Sequence, residues 1–205
     1  MSQEIIEIPL IKRTLEHKGL LEQYVYLRNT QFNQKFGKSY DPQQLMDGDE
    51  KAGFLVAVGF EEGKKKVIAG IRLNELPATG GETHSDRIKK LEELLPGIKR
   101  QKYASLNIDF ATVEGTPEGL KSLPKLFSEA FKLAEKRRYD VVYFFPEEKL
   151  SAHLLKTIEK DLQLKSYPLI DFGNTEYKGM KKRMFAVLIN SELRELVPPS
   201  ARLIE

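Results

Sequence analysis

From Leu15 to Phe36 apolar residues return at helical spacing. Leu21, Val25, Phe32 and Phe36 share one face, so the segment is predicted to be an amphipathic helix. Arg28 falls on that same face, an unusual place for a charge. Two β-rich runs follow, Phe54 to Phe60 and Lys66 to Leu73, and the charged turn Glu61 to Lys64 makes them a hairpin. Ile88, Leu91, Leu94 and Leu95 then repeat at helical spacing, which predicts a short helix from Ser85 to Leu95 ended by Pro96-Gly97. From Tyr103 to Val113 the period changes to two: Leu106, Ile108 and Phe110 alternate with Asn107 and Asp109, as in a strand. A loop over Glu114 to Glu118 leads into a long helix reaching about Arg138, with Pro124 placed near its start. Val141 to Phe145 is a continuous apolar run, the pattern of a strand covered on both faces. Ser151 is suited to cap a helix over Ala152 to Leu162. Lys165 to Phe172, weakened by Pro168, and Met180 to Asn190 read as two final strands. Strands alternating with helices after an antiparallel hairpin predict an α/β domain with a mixed sheet covered by helices.

Composition narrows the chemistry. A length of 205 residues with no convincing internal boundary suits one domain over residues 1–205. The absence of cysteine removes disulfides, thiolate metal sites and a thiol nucleophile, and it fits a reducing, cytoplasmic setting. No apolar run is long enough to span a membrane, and the first residues mix Glu4 and Glu7 with isoleucine, unlike a signal peptide. A net charge of +3, from 33 basic and 30 acidic residues, lacks the strong basic bias of a nucleic-acid binder. His17, His84 and His153 are scattered without ligand spacing, so no metal site is expected.

Three stretches carry a family resemblance. They are Leu27-Arg28 with Phe32 and Phe36, the acidic loop Asp47-Gly48-Asp49-Glu50-Lys51-Ala52 before the strand Gly53-Phe54-Leu55-Val56, and Gly70-Ile71-Arg72-Leu73 running to Leu76-Pro77-Ala78-Thr79. With the order of elements, they resemble the GNAT acyltransferase fold, and within it the acyl-homoserine lactone synthases and N-acyl amino acid synthases. The resemblance spans roughly residues 20 to 190, with its motifs in the first third. It implies a mixed, mostly antiparallel sheet flanked by helices on both faces. It also implies transfer of a fatty acyl group from a carrier thioester to the amine of a small amino-acid-like acceptor, with no tightly bound cofactor. Phe32 and Phe36 would wall the pocket, although aromatic residues at helical spacing are more often core.

The residues themselves leave two readings open. Arg28 and Arg72, with Asp47 or Asp49, could hold the carboxylate and ammonium of a zwitterionic amine. The same set could instead form an intramolecular ion-pair network. The lactone synthases carry a Glu-x-x-Arg pair on the strand that corresponds to Tyr103–Val113, where this chain has Leu106 and Asp109; Asp109, or Glu114 beyond it, is then the candidate base. Backbone donors near Phe110 and Ala111 would polarise a thioester carbonyl. Coenzyme A-binding relatives have a glycine-rich loop where this chain has Thr112-Val113-Glu114-Gly115-Thr116-Pro117. Only the N–H groups of Gly115 and Thr116 remain as anion donors there, and Glu114 opposes a phosphate. The resemblance implies an acyl carrier protein, which the resembling synthases use, as a better-fitting donor than acyl-CoA; its acidic surface would meet basic clusters at Lys99–Lys102, Lys136–Arg138 and Lys178–Arg183. The alternative is a catalytically inactive domain of the same fold that binds a ligand or partner.

Overall fold

The computed structural model describes residues 3–37, 49–76, 91–93, 95, 103–146, 154–160, 162, 167–177 and 180–197. Their contacts gather into two compact units, one of residues 1–74 and 108–130, the other of residues 75–107 and 131–205. Among the described residues, seven strands, mostly antiparallel, and the helices between them make a mixed α/β fold.

In the first unit the strands are β1 (Glu4–Ile8), β2 (Gly53–Glu61), β3 (Lys64–Leu76) and the later part of β4 (Ser105–Val113), ordered β1-β2-β3-β4. β2 pairs antiparallel with both β1 and β3. The β2–β3 connection turns on Glu62 and Gly63, both with positive φ, the geometry that suits a two-residue hairpin. Helix α1 (Leu15–Phe36) begins at Thr14, whose side chain accepts from the His17 N–H while His17 Nδ1 accepts from the Thr14 N–H. Leu20 and Tyr24 of α1 pack with Ile8, Phe54, Val56, Val58 and Val67 in one apolar cluster.

In the second unit the order is β4-β5-β7-β6, with β5 at Val141–Phe144, β6 at Leu169–Tyr177 and β7 at Met180–Leu188. β7 is antiparallel to both neighbours. Every β5 residue is buried, as the apolar run requires. Helix α2 (Pro117–Lys136) starts at a proline, so Pro124 lies inside it rather than near its start. Residues 154–160 are helical, whereas the proposed cap Ser151 lies outside the described residues. Of the helix expected over Ser85 to Leu95, only residues 91–93 and 95 are described; 91–93 are helical, and Leu91 and Leu95 are buried. Two elements were not foreseen. β1 is a short edge strand with glutamates among its isoleucines, and α3 (Ser191–Glu195) is a brief helix capped by Asn190.

Candidate functional site

Side chains on a helix meet at spacings of three and four. The line that α1 turns inward is Leu20, Tyr24 and Arg28, all buried, with Gln31 next to them half-buried. Leu21 and Val25 flank this line and are only partly buried. Arg28 has no solvent-exposed surface (0 %) and grips Asp49 with both ends of its guanidinium, at 2.8 and 2.7 Å. Asp49 Oδ1 also accepts from Nη1 of Arg72 at 3.1 Å. Arg72 turns its other two nitrogens to Asp109: Nε donates to Oδ1 at 2.8 Å and Nη2 to Oδ2 at 3.1 Å. Asn74 Nδ2 donates to the same Oδ2 at 2.7 Å.

Strand geometry explains how these groups meet. Gly70, Arg72 and Asn74 alternate along β3 and so share one face. Val56 and Phe54 stand opposite Gly70 and Arg72 on β2, which places this face under α1. The Tyr24 ring lies against Gly70, where a Cβ would come within 2.5 and 2.8 Å of its ring carbons. Glycine at position 70 is thus what allows α1 to approach closely enough for Arg28 to reach the cluster.

Two arginines and two aspartates leave the cluster neutral. Burial opposes the charge of Arg72, but the Asp109 charge and its hydrogen bonds outweigh that cost and raise the guanidinium pKa above its ordinary value. Arg72 and Asp49 side chains retain 8 % and 9 % of their exposure, and Asp109 retains 21 %. Of the four charged side chains, Asp109 keeps the largest exposure.

β4 changes character at this point. Residues 105–108 are buried, Asp109 and Phe110 are half-buried, and Ala111 is exposed before Thr112 is buried again. Phe110 has φ of 45°, the left-handed region that a bulky side chain avoids. Three contacts hold it there. The Tyr24 hydroxyl donates to the Phe110 carbonyl at 2.7 Å, the Arg72 guanidinium lies 4.2 Å from the Phe110 ring centre, and the Phe32 ring packs at 5.6 Å. Burial raises the Tyr24 pKa and keeps the phenol protonated as a donor. Below the kink, Gln31 ties α1 to the strand, accepting from Thr112 Oγ1 and donating to the Val113 carbonyl. Arg13 braces the Asp49 turn by donating to the Ala52 carbonyl at 2.5 Å and the Pro9 carbonyl at 2.9 Å.

The structure therefore gathers Arg28, Asp49, Arg72, Asp109, Phe110 and Phe32. Asp47 and the side chain of Phe36 lie outside the described residues. Glu114 is bound to Lys66 at 2.9 Å, which offsets its charge. Thr116 Oγ1 accepts from the Gly119 N–H at 3.2 Å at the start of α2, and Gly115 is exposed. Of the basic clusters, Lys99–Lys102 lies outside the described residues; in the second, Arg137 pairs with Glu75 at 3.2 Å. Among the described residues no group of His, Asp or Glu side chains is arranged to hold a metal ion. No described helix is long and apolar enough to cross a membrane. Tyr24, Gln31, Asn74 and Arg13 were not singled out from the sequence. Tyr24 and Gln31 stand four before and three after Arg28, and Asn74 two after Arg72, so the periods alone would have placed them beside the two arginines.

The chain matches no protein-family model and no curated protein sequence. Solved structures resemble it along nearly its whole length. The coenzyme A-dependent acyl-homoserine lactone synthase BjaI, with SAM and isopentyl-CoA, aligns with a TM-score of 0.58 at 15% identity over 98% of this chain and 92% of its own. FeeM, an N-acyl amino acid synthase from uncultured soil microbes, aligns at 0.56 and 11% identity over 100% of both chains. NAA60 from Arabidopsis thaliana, in complex with acetyl-CoA, aligns at 0.56 and 15% identity over 93% of this chain and 100% of its own. The resemblance to the acyl-homoserine lactone synthases, the N-acyl amino acid synthases and the wider GNAT acyltransferases thus holds at the level of fold.

Proposed function

We propose that the protein is an N-acyltransferase that moves an acyl group from a thioester to the amine of a small acceptor. The observation that carries this reading is the left-handed Phe110 in β4, set between half-buried Asp109 and exposed Ala111. Strained residues in otherwise regular strands concentrate where function needs the backbone re-aimed. In this reading the acceptor amine sits at Asp109 and the thioester carbonyl lies along the backbone at Phe110 and Ala111. Their N–H groups face the oxyanion that develops as the amine attacks. Asp109, directly or through a water, receives the proton that the attacking amine sheds, and the thiol leaves as the C–S bond breaks. Arg28, Asp49 and Asn74 keep Arg72 and Asp109 in place.

The donor is a thioester of coenzyme A or of an acyl carrier protein. Lys66 offsets the charge of Glu114, so the loop before α2 opposes a phosphate less than its sequence suggested. Gly115 and Thr116 would then meet the donor's phosphates through their backbone. The test is incubation of the purified protein with acyl-CoA and acyl carrier protein thioesters of several chain lengths and a pool of amines, read by mass spectrometry. An N-acyl product that disappears with Arg72→Ala, in a variant that still unfolds cooperatively, supports the reading. A second reading, an inactive binding domain, draws on the self-contained pairing of both arginines with acids. A thermal shift with acyl thioesters but no product would select it.

A further inference from the structure

We infer that the acceptor is recognised as a cation through Asp109 and carries no α-carboxylate, so that it is an alkylamine or polyamine rather than an amino acid. This rests on the acyl-transfer reading and narrows its acceptor. A zwitterionic amino acid needs a cation for its carboxylate as well as an anion for its ammonium. The two arginines that the sequence offers for that task are turned inward. Arg28 is wholly shielded from solvent and spends both terminal nitrogens on Asp49. Arg72 directs Nη1 to Asp49 and both Nε and Nη2 to Asp109. An acceptor carboxylate would have to displace an aspartate from one of them and leave that aspartate without its cation, at a cost typical of broken buried pairs.

What the cluster shows to solvent is of the opposite sign. Asp109 is the most exposed of the four charged side chains, with 21 % of its surface open. Asn74 and Arg72 fix its orientation. The Phe110 ring packs on the same guanidinium that binds Asp109, and the Phe32 ring adjoins it. A carboxylate held in this way attracts an alkylammonium by its charge. An acceptor carboxylate in the same place would meet the like charge of Asp109, which repels it. In the reaction the ammonium sheds two protons, one ending on the leaving thiol and one in solvent, while the C–N bond forms and the C–S bond breaks.

Matched acceptors isolate the carboxylate: 1,4-diaminobutane against ornithine, and pentylamine against norleucine, each with decanoyl-CoA and with decanoyl acyl carrier protein. The amine of each pair is expected to react with a kcat/KM at least about tenfold higher, the scale of one charge-assisted contact. Asp109→Asn, checked to unfold cooperatively, is expected to raise KM for the amine about ten- to a hundredfold and leave KM for the thioester unchanged. Asn74→Ala, which loosens Asp109 without removing it, is expected to raise the same KM by a smaller factor. Preference for ornithine and norleucine would overturn the inference and leave acyl transfer standing. If no acceptor is acylated, calorimetry decides: binding of 1,4-diaminobutane that Asp109→Asn abolishes sustains cation recognition, and no binding overturns it.

Discussion

The two compact units bury different things. In the second, the interior is made of Leu91, Tyr103, Val141, Tyr143, Ile170, Met184 and Leu188, and its buried polar side chains among the described residues, Ser105 and Asn107, are uncharged. In the first, an apolar cluster between α1 and β2 lies beside Arg28, Asp49 and Arg72, which are buried and charged. Apolar burial yields roughly 25 cal/mol per Å² with no geometric demand. Buried ion pairs repay their desolvation only when the geometry is good, and replacing them by apolar groups is often neutral or stabilising. The second unit's interior is thus explained by stability alone. The first unit's is better explained by the geometry it imposes on Asp109 and Phe110.

The largest effect is expected where the charges are separated. Asp49→Ala leaves Arg28 and Arg72 without their shared carboxylate and should cost about 3–5 kcal/mol in urea unfolding. Pairing it with Arg28→Met should recover part of that loss. A cost under about 1 kcal/mol for Asp49→Ala would mean that the pair behaves like a surface one, and the contrast between the units would collapse.

Phe185→Ala acts in the other unit, where the ring stacks on Phe144 at 5.2 Å. It should cost about 3–4 kcal/mol, yet leave the ratio of amine to amino-acid acylation unchanged. A shift in that ratio would show that selectivity does not belong to the charged cluster.

Tyr24→Phe is the finest probe. It removes one hydrogen bond to the Phe110 carbonyl and should cost about 1–2 kcal/mol. Its mark should be a fall in kcat with the melting temperature only slightly lowered, because the kink loses its tether. An unchanged kcat would remove Tyr24 from the positioning of β4.

Periodicity alone delimits α1 from Leu15 to Phe36, finds the β2–β3 hairpin and recognises β5 by its unbroken apolar run. It misses β1, since Glu4 and Glu7 dilute a pattern that needs only one buried side at a sheet edge. At the site, Arg28 stands out because a charge on an apolar face demands a partner. Tyr24 and Gln31 do not stand out, because their partners, Phe110 and Thr112, lie 86 and 81 residues away in the chain. Nor does the left-handed turn at Phe110, since nothing in a phenylalanine announces a conformation that its side chain disfavours. The pairing of Arg72 with Asp109 rather than with Asp49 alone is likewise a fact of strand register.

The neutral cluster also sets how the first unit comes apart. Its four charges arrive from four segments: α1, the turn before β2, β3 and β4. Any arrangement with three of them docked strands a charge in a dry place, so partly assembled forms are poorly populated. These segments should form one cooperative opening unit, and their slowest amide protons should exchange with a common free energy.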